Sequence, residues 1–242
     1  MAMTFDLSQT PTPVFLKRRV NYVVGVDLGQ SSDPTAIAVI ERQRGVMDAG
    51  SPFERHTGLS THLQTPAEFI DVRHLERLPL GMSYPAVVQH VADLLARPPL
   101  CRDENHPAAE LIIDETGVGR AVGDIFIDAG MKPKRITITA GSEATSGHGR
   151  DRFYVAKTVL ISNVDAMLHT GTLRFASALS EADAMKDELL DFRRKLSDAG
   201  RATYAARTGR HDDLVLAVAI ACWWINNEYE SPMAMTGTYG QR

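Results

Sequence analysis

Two apolar, β-branched runs near the start of the chain leave little freedom in how it folds. Residues 20–28 (VNYVVGVDL) are closed by Gly29, and residues 35–41 (TAIAVIE) follow a turn signalled by Ser31, Ser32, Asp33 and Pro34. Together they predict a β-hairpin, with the first run in the place of a central strand. Strands then alternate with helices. Val87, Val88, Val91, Leu94 and Leu95 recur at helical spacing over 84–96, and Arg97-Pro98-Pro99 stops that helix. Residues 110–114 (ELIID) predict a short buried strand, 120–129 a helix and 135–139 (RITIT) another strand, a β-α-β unit that implies parallel pairing. Residues 56–63 are a weaker strand candidate. After a Gly/Ser-rich stretch at 141–149, helices are expected at about 153–169, 182–197 and 212–226, with a short edge strand at 172–175. The fold class is α/β, a mixed β-sheet flanked by α-helices.

A length of 242 residues with 44% apolar and 23% charged side chains suits one such domain with a core of its own, and excludes disordered or collagen-like chains. The domain is expected over 20–228, behind an extended arm at 1–19 and ahead of a flexible tail at 229–242. Cys101 and Cys222 stand far apart with no CxxC and no histidine at zinc spacing, so neither a disulfide framework nor a zinc site is indicated. No apolar run approaches the ~18–20 residues of a membrane span, and residues 1–15 lack the basic and apolar pattern of a signal peptide. No membrane partner is expected, and the cytoplasm is the expected compartment.

The acidic residues carry the functional signal. Asp27 ends the apolar run 22–26, and Asp114 ends LII in the same way. A carboxylate in that setting is costly unless a cation or metal balances it. Asp212 and Asp213 open an almost wholly apolar helix (LVLAVAIACWWI), yet a helix start needs one cap, so the pair leaves a carboxylate over. Each alone has an ordinary structural explanation. Together, three acidic positions on separate elements fit a hard divalent cation, and oxygen ligands with no His/Cys cage favour Mg²⁺ or Mn²⁺. A pair of ions about 3.5–4 Å apart is the standard device for in-line displacement at phosphorus.

The segments VVGVDLGQSSDPTAIAVIE, LIIDETGVGRAVGDIF, AKTVLISNVDAMLHTGTLRF, ELLDFRRKL and GRHDDLVLAVAIACWW resemble the nuclease domain of phage terminase large subunits, over about 20–227. HDDLVLA at a helix start is the most specific of these. The resemblance implies an RNase H-like fold, related to RuvC resolvases and retroviral integrases. It also implies a divalent-metal DNA endonuclease acting in phage DNA packaging, encoded by a phage or prophage and working in the bacterial host. By position, Asp27 and Asp114 would be strand-end metal ligands, and Asp212 and Asp213 fill the helix-start position, with the direct ligand of the two left open. Glu115 and His211 are secondary candidates: Glu115 should point to the opposite face of its strand from Asp114, and His211 could orient a water or a phosphate. A GxxxxGK[ST] loop is absent from these 242 residues. A separate packaging ATPase, a small terminase subunit and a portal are the protein partners the resemblance implies.

A formal net charge of −4 requires that DNA be met by local basic patches. Residues 131–160 hold six Lys or Arg against two acids, with Arg150, Arg152 and Lys157 the candidate phosphate contacts; Arg207 and Arg210 form a second approach beside the acidic pair. Trp223 and Trp224 occupy adjacent faces of an apolar helix, and at least one belongs to the core. Two other readings remain at this level: a sugar-kinase or actin-like ATPase, because VGVDLGQSS also resembles a first phosphate loop of that superfamily, and a catalytically silent DNA-binding or assembly module of the same fold.

Overall fold

The expected hairpin is present and its strands are longer than the apolar runs suggest. In a computed structural model describing residues 15–29, 33–48, 64–104, 106–118, 120–147, 151–176, 178–198 and 212–227, β1 (Phe15–Asp27) and β2 (Ala36–Asp48) pair antiparallel, with Val23 opposite Ile40 and Asp27 opposite Ala36. The remaining strands are β3 (Gln64–Arg77), β4 (Glu110–Asp114), β5 (Lys134–Thr139), β6 (Ala144–Ser146), β7 (Arg152–Ala156) and β8 (Leu173–Phe175). The helices are α1 (Tyr84–Leu95), α2 (Arg120–Asp128), α3 (Lys157–His169), α4 (Ala182–Asp198) and α5 (Asp213–Asn227). The strands form one mixed eight-stranded sheet in the order β6-β7-β5-β4-β1-β2-β3-β8. β1, β4, β5 and β7 run parallel in sequence across its centre, while β2 and β6 are antiparallel to their neighbours.

Strand alternation divides the core in two. Val24, Val26, Ile37, Val39, Leu111 and Ile113 face α1 and α2. Val23, Ala38, Ile40, Ile112, Ile136 and Val155 face the other way, toward α3, α4 and α5. Helix α5 is apolar all round and buried from Asp213 to Ile225, as a helix laid across the middle of a sheet and under other helices must be. Each large aliphatic side chain buried there contributes about 1.5–3 kcal/mol relative to exposure. Trp223 and Trp224 are both buried, each edge-on to Phe153 at 5.5 Å, so neither serves as a stacking platform.

Several elements depart from expectation for identifiable reasons. The expected strand at 56–63 lies outside the described residues, and the third strand is β3 instead. Its apolar period breaks at Arg73, where β3 carries one residue more than β2: Val39 pairs with His74 but Ile40 with Val72. This bulge returns Leu75 and Arg77 to the face occupied by Ile70 and Val72. Residues 152–156 form β7 and not the start of a helix, because Phe153, Tyr154 and Val155 suit a strand and pair in parallel with β5. Within the Gly/Ser-rich stretch, β6 adds an antiparallel edge. The edge strand β8 is present, pairing with β3. None of the described helices is long and apolar enough to cross a membrane.

Candidate active site

Register brings the first two carboxylates together. β1 and β4 are adjacent and parallel, and Asp27 pairs directly with Asp114. Asp27 alternates with Val23 and Gly25, and Asp114 with Ile112, so both carboxylates project from the α5 face. The strands carry them at their C-terminal ends, where open α/β sheets hold their ligands. Gly25 lets α5 approach closely: a Cβ there would lie 2.1 Å from the carbonyl oxygen of Ala217 and 3.0 Å from the Cβ of Ala221. That close crossing sets the first turn of α5, and with it Asp212 and Asp213, over the strand ends. Gly29 has a different reason, since a Cβ would meet the Asp33 carbonyl oxygen at 2.1 Å, while its N–H donates to the Thr35 hydroxyl.

The cluster's electrostatics follow from this crowding. Asp27 is pushed well above the ordinary carboxyl range, first by burial and then by the negative charges of Asp114, Asp212 and Asp213, against the pull of Lys157. Asp114 is raised to about 6, chiefly by burial, although Thr116 and Lys157 favour its charged form. Thr116 donates both its backbone N–H (2.8 Å) and its hydroxyl (2.5 Å) to Asp114 Oδ1, and its own oxygen accepts the N–H of Ile138 (2.6 Å). The carboxylate is therefore held in one orientation from both β4 and β5. Lys157, the first residue of α3, donates to Asp212 Oδ2 at 2.6 Å. The sequence marks it as a candidate phosphate contact; here β7 ends one residue earlier and its ammonium meets the acidic cluster at the helix start.

The two neighbouring aspartates part company at the start of α5. Asp212 precedes the helix, accepts the N–H of Leu216 on its carbonyl and gives its carboxylate to Lys157. Asp213 is buried and takes both its hydrogen bonds from Arg77, at 2.7 and 3.3 Å. Glu188 of α4 is buried beside them: it accepts the N–H of Val215 at 3.0 Å and pairs with Arg77. Burial and the charges of Asp213 and Asp212 raise it to about 8, against the Val215 N–H and Arg77. Arg77, Glu188 and Thr116 went unmarked in the sequence. Only Thr116, two residues past Asp114 in a turn, offered a local signal.

Glu115 lies on the opposite side of the sheet as expected, buried against Gly123 and Arg135 with one carboxylate oxygen lacking a hydrogen-bond partner. Three of the six basic residues at 131–160 have partners within the protein. Arg135 is buried and paired with Asp124 (3.0 Å) and Asp151 (2.9 Å), Lys134 lies over the Trp224 ring at 5.2 Å, and Lys157 is in the cluster. Arg152 is half-buried in β7, its Nε lacking a partner. Arg150, Arg207, Arg210 and His211 lie outside the described residues.

Among the described residues, no three His, Cys, Asp or Glu side chains are already drawn together as a metal cage. The donor chemistry nevertheless suits a hard divalent cation: Asp27, Asp114 and Asp212 supply oxygens, and the raised proton affinity of Asp27 and Asp114 is the mark of negative charge short of a counter-ion.

No family model and no curated protein matches this chain. Among solved structures, the fold is similar to the large terminase nuclease from thermophilic phage G20c, at 20% identity over 88% of both chains with a TM-score of 0.50. The human cytomegalovirus terminase nuclease domain also aligns, at 13% identity over 90% of this chain and 88% of that one, with a TM-score of 0.46. The mixed sheet, its strand order and the phage likeness define an RNase H-like fold of the kind found in terminase nucleases.

Proposed function

We propose that the chain is a divalent-metal-dependent DNA endonuclease of the phage terminase large-subunit type. The observation that carries this reading is the in-register pairing of Asp27 and Asp114 on the α5 face, with Asp212 and the Lys157 ammonium beside them. The likeness to the phage G20c enzyme supports the fold on which it rests. Asp27, Asp114 and Asp212 would hold Mg²⁺ or Mn²⁺, in our reading two ions. Bound there, such ions lower the pKa of an attacking water and stabilise the leaving oxygen of the phosphodiester.

The protein's own contribution is orientation and charge. Thr116 fixes the Asp114 carboxylate, Gly25 sets the distance of α5 from β1, and Lys157 supplies a cation next to the place where a scissile phosphate must lie. Arg152, with Arg150, Arg207 and Arg210, is proposed to contact the DNA backbone, which would place binding on phosphates without base reading. Force for translocation would come from a separate packaging ATPase, acting with a small terminase subunit and a portal in a phage-infected host. The test is conversion of supercoiled plasmid to nicked and linear forms in Mn²⁺ or Mg²⁺. Cleavage by the native protein and its loss in Asp27→Asn support the reading, whereas equal cleavage by both proteins, or none by either, removes it.

A further inference from the structure

The two acidic residues at the start of α5 are chemically identical and adjacent, yet the protein pulls them in opposite directions. From one side Lys157 of α3 takes Asp212 at 2.6 Å. From the other, Arg77 at the end of β3 grips Asp213 with a fork, Nε to Oδ2 at 2.7 Å and Nη2 to Oδ1 at 3.3 Å. The same guanidinium reaches Glu181 at 3.3 Å and also pairs with Glu188. Glu188 in turn accepts the Val215 N–H, so Arg77 ties β3, α4 and the first turn of α5 into one unit. The β3 bulge is what brings Arg77 to this face; without the extra residue at Arg73 its side chain would leave the opposite side of the sheet.

We propose that Arg77 is a positioning residue that draws Asp213 away from the metal centre and so leaves Asp212 as the carboxylate α5 contributes to it. Both oxygens of Asp213 are committed to one guanidinium, and taking up a cation would mean abandoning a charge-assisted bidentate pair at a residue only 4% exposed. Asp212 gives up only the ammonium of Lys157, a single contact on a flexible stem. The fork geometry also explains the choice of arginine, since a lysine at 77 would offer a point charge that cannot hold both oxygens in one plane.

This inference rests on the nuclease reading, and Mn²⁺ titration of the full chain, followed by calorimetry and by the spectroscopic signal of free Mn²⁺, separates the two. Asp212→Asn is expected to weaken Mn²⁺ binding at least about tenfold more than Asp213→Asn, which should retain the native stoichiometry. In the Arg77→Met background, where Asp213 is released, that difference should shrink to within about threefold. If Arg77→Met fails to fold, the two near-isosteric Asn variants still decide the matter with Arg77 in place. Mn²⁺ binding lost equally in Asp212→Asn and Asp213→Asn overturns the role given to Arg77 and leaves the nuclease reading standing. A native protein that binds no Mn²⁺ overturns both.

Discussion

Replacing Asp114 with asparagine should make the metal-free protein more stable while abolishing cleavage. Asp114 is 3% exposed, and its carboxyl is held at about 6 against an ordinary 3.8, mainly by burial. That difference, at about 1.4 kcal/mol per pH unit, makes the ionised form about 3 kcal/mol less favourable in the folded chain than in the unfolded one. The sign follows from proton binding. The folded carboxyl binds its proton more tightly, so stability is greatest below about pH 4, falls as pH rises through about 6, and stays low above it. Asparagine removes the charge and keeps an amide oxygen for the Thr116 N–H. Allowing for the lost attraction to Lys157, the gain at pH 7.5 in EDTA should be about 1–3 kcal/mol. At roughly 2–4 °C per kcal/mol for a domain of this size, Tm should rise by roughly 2–12 °C. Thermal melts at pH 4 and 7.5, alongside plasmid cleavage, read the effect directly. The advantage should vanish at pH 4. A variant less stable than the native protein at pH 7.5, or stabilised equally at both pH values, would refute the electrostatic reasoning.

Three other outcomes are expected. Gly25→Ala forces a methyl to within 2.1 Å of the Ala217 carbonyl, so α5 must shift outward; overpacking should cost about 1–3 kcal/mol, and a displacement near 1 Å should reduce cleavage by about 100-fold, with an unchanged melt and full activity as the contrary result. Lys157→Met removes the cation that offsets Asp27, Asp114 and Asp212, so melting in EDTA should drop and the drop should shrink in saturating Mn²⁺; equal losses in both conditions would show the lysine to be ordinary packing. Cys222 is buried with its thiol pushed up to about 12, whereas Cys101 is half-buried, so the folded protein should titrate one thiol quickly and the second only on unfolding.

The parts of this fold that follow a local rule were readable in advance. The β1–β2 hairpin, β4, α2 and β5 rest on short-range periodicity, and the strand ends marked by Asp27 and Asp114 follow directly from it. Helix α5 was legible because an unbroken apolar run with acids at its start has few other uses. What escaped depends on partners distant in sequence. β3 carries polar side chains at Asp71, Arg73 and His74 and a bulge that scrambles its alternation, so its pattern is no longer that of a half-buried strand. β7 reads as part of the following helix because no Gly or Pro separates 153–156 from it, and only pairing with β5 decides between them. Arg77 and Glu188 look like surface charges until β3 and α4 are packed beside α5. The basic stretch at 131–160 shows the converse: its residues are close in sequence, while Arg135, Lys134 and Lys157 point to three different neighbours.

Crystals soaked in Mn²⁺ and measured at the manganese absorption edge test the proposed centre most directly. An anomalous peak bounded by the carboxylates of Asp27, Asp114 and Asp212, with Lys157 displaced from Asp212 and Asp213 still held by Arg77, is the expected result. Protein that cleaves DNA in Mn²⁺ yet carries no manganese at those three carboxylates would contradict it.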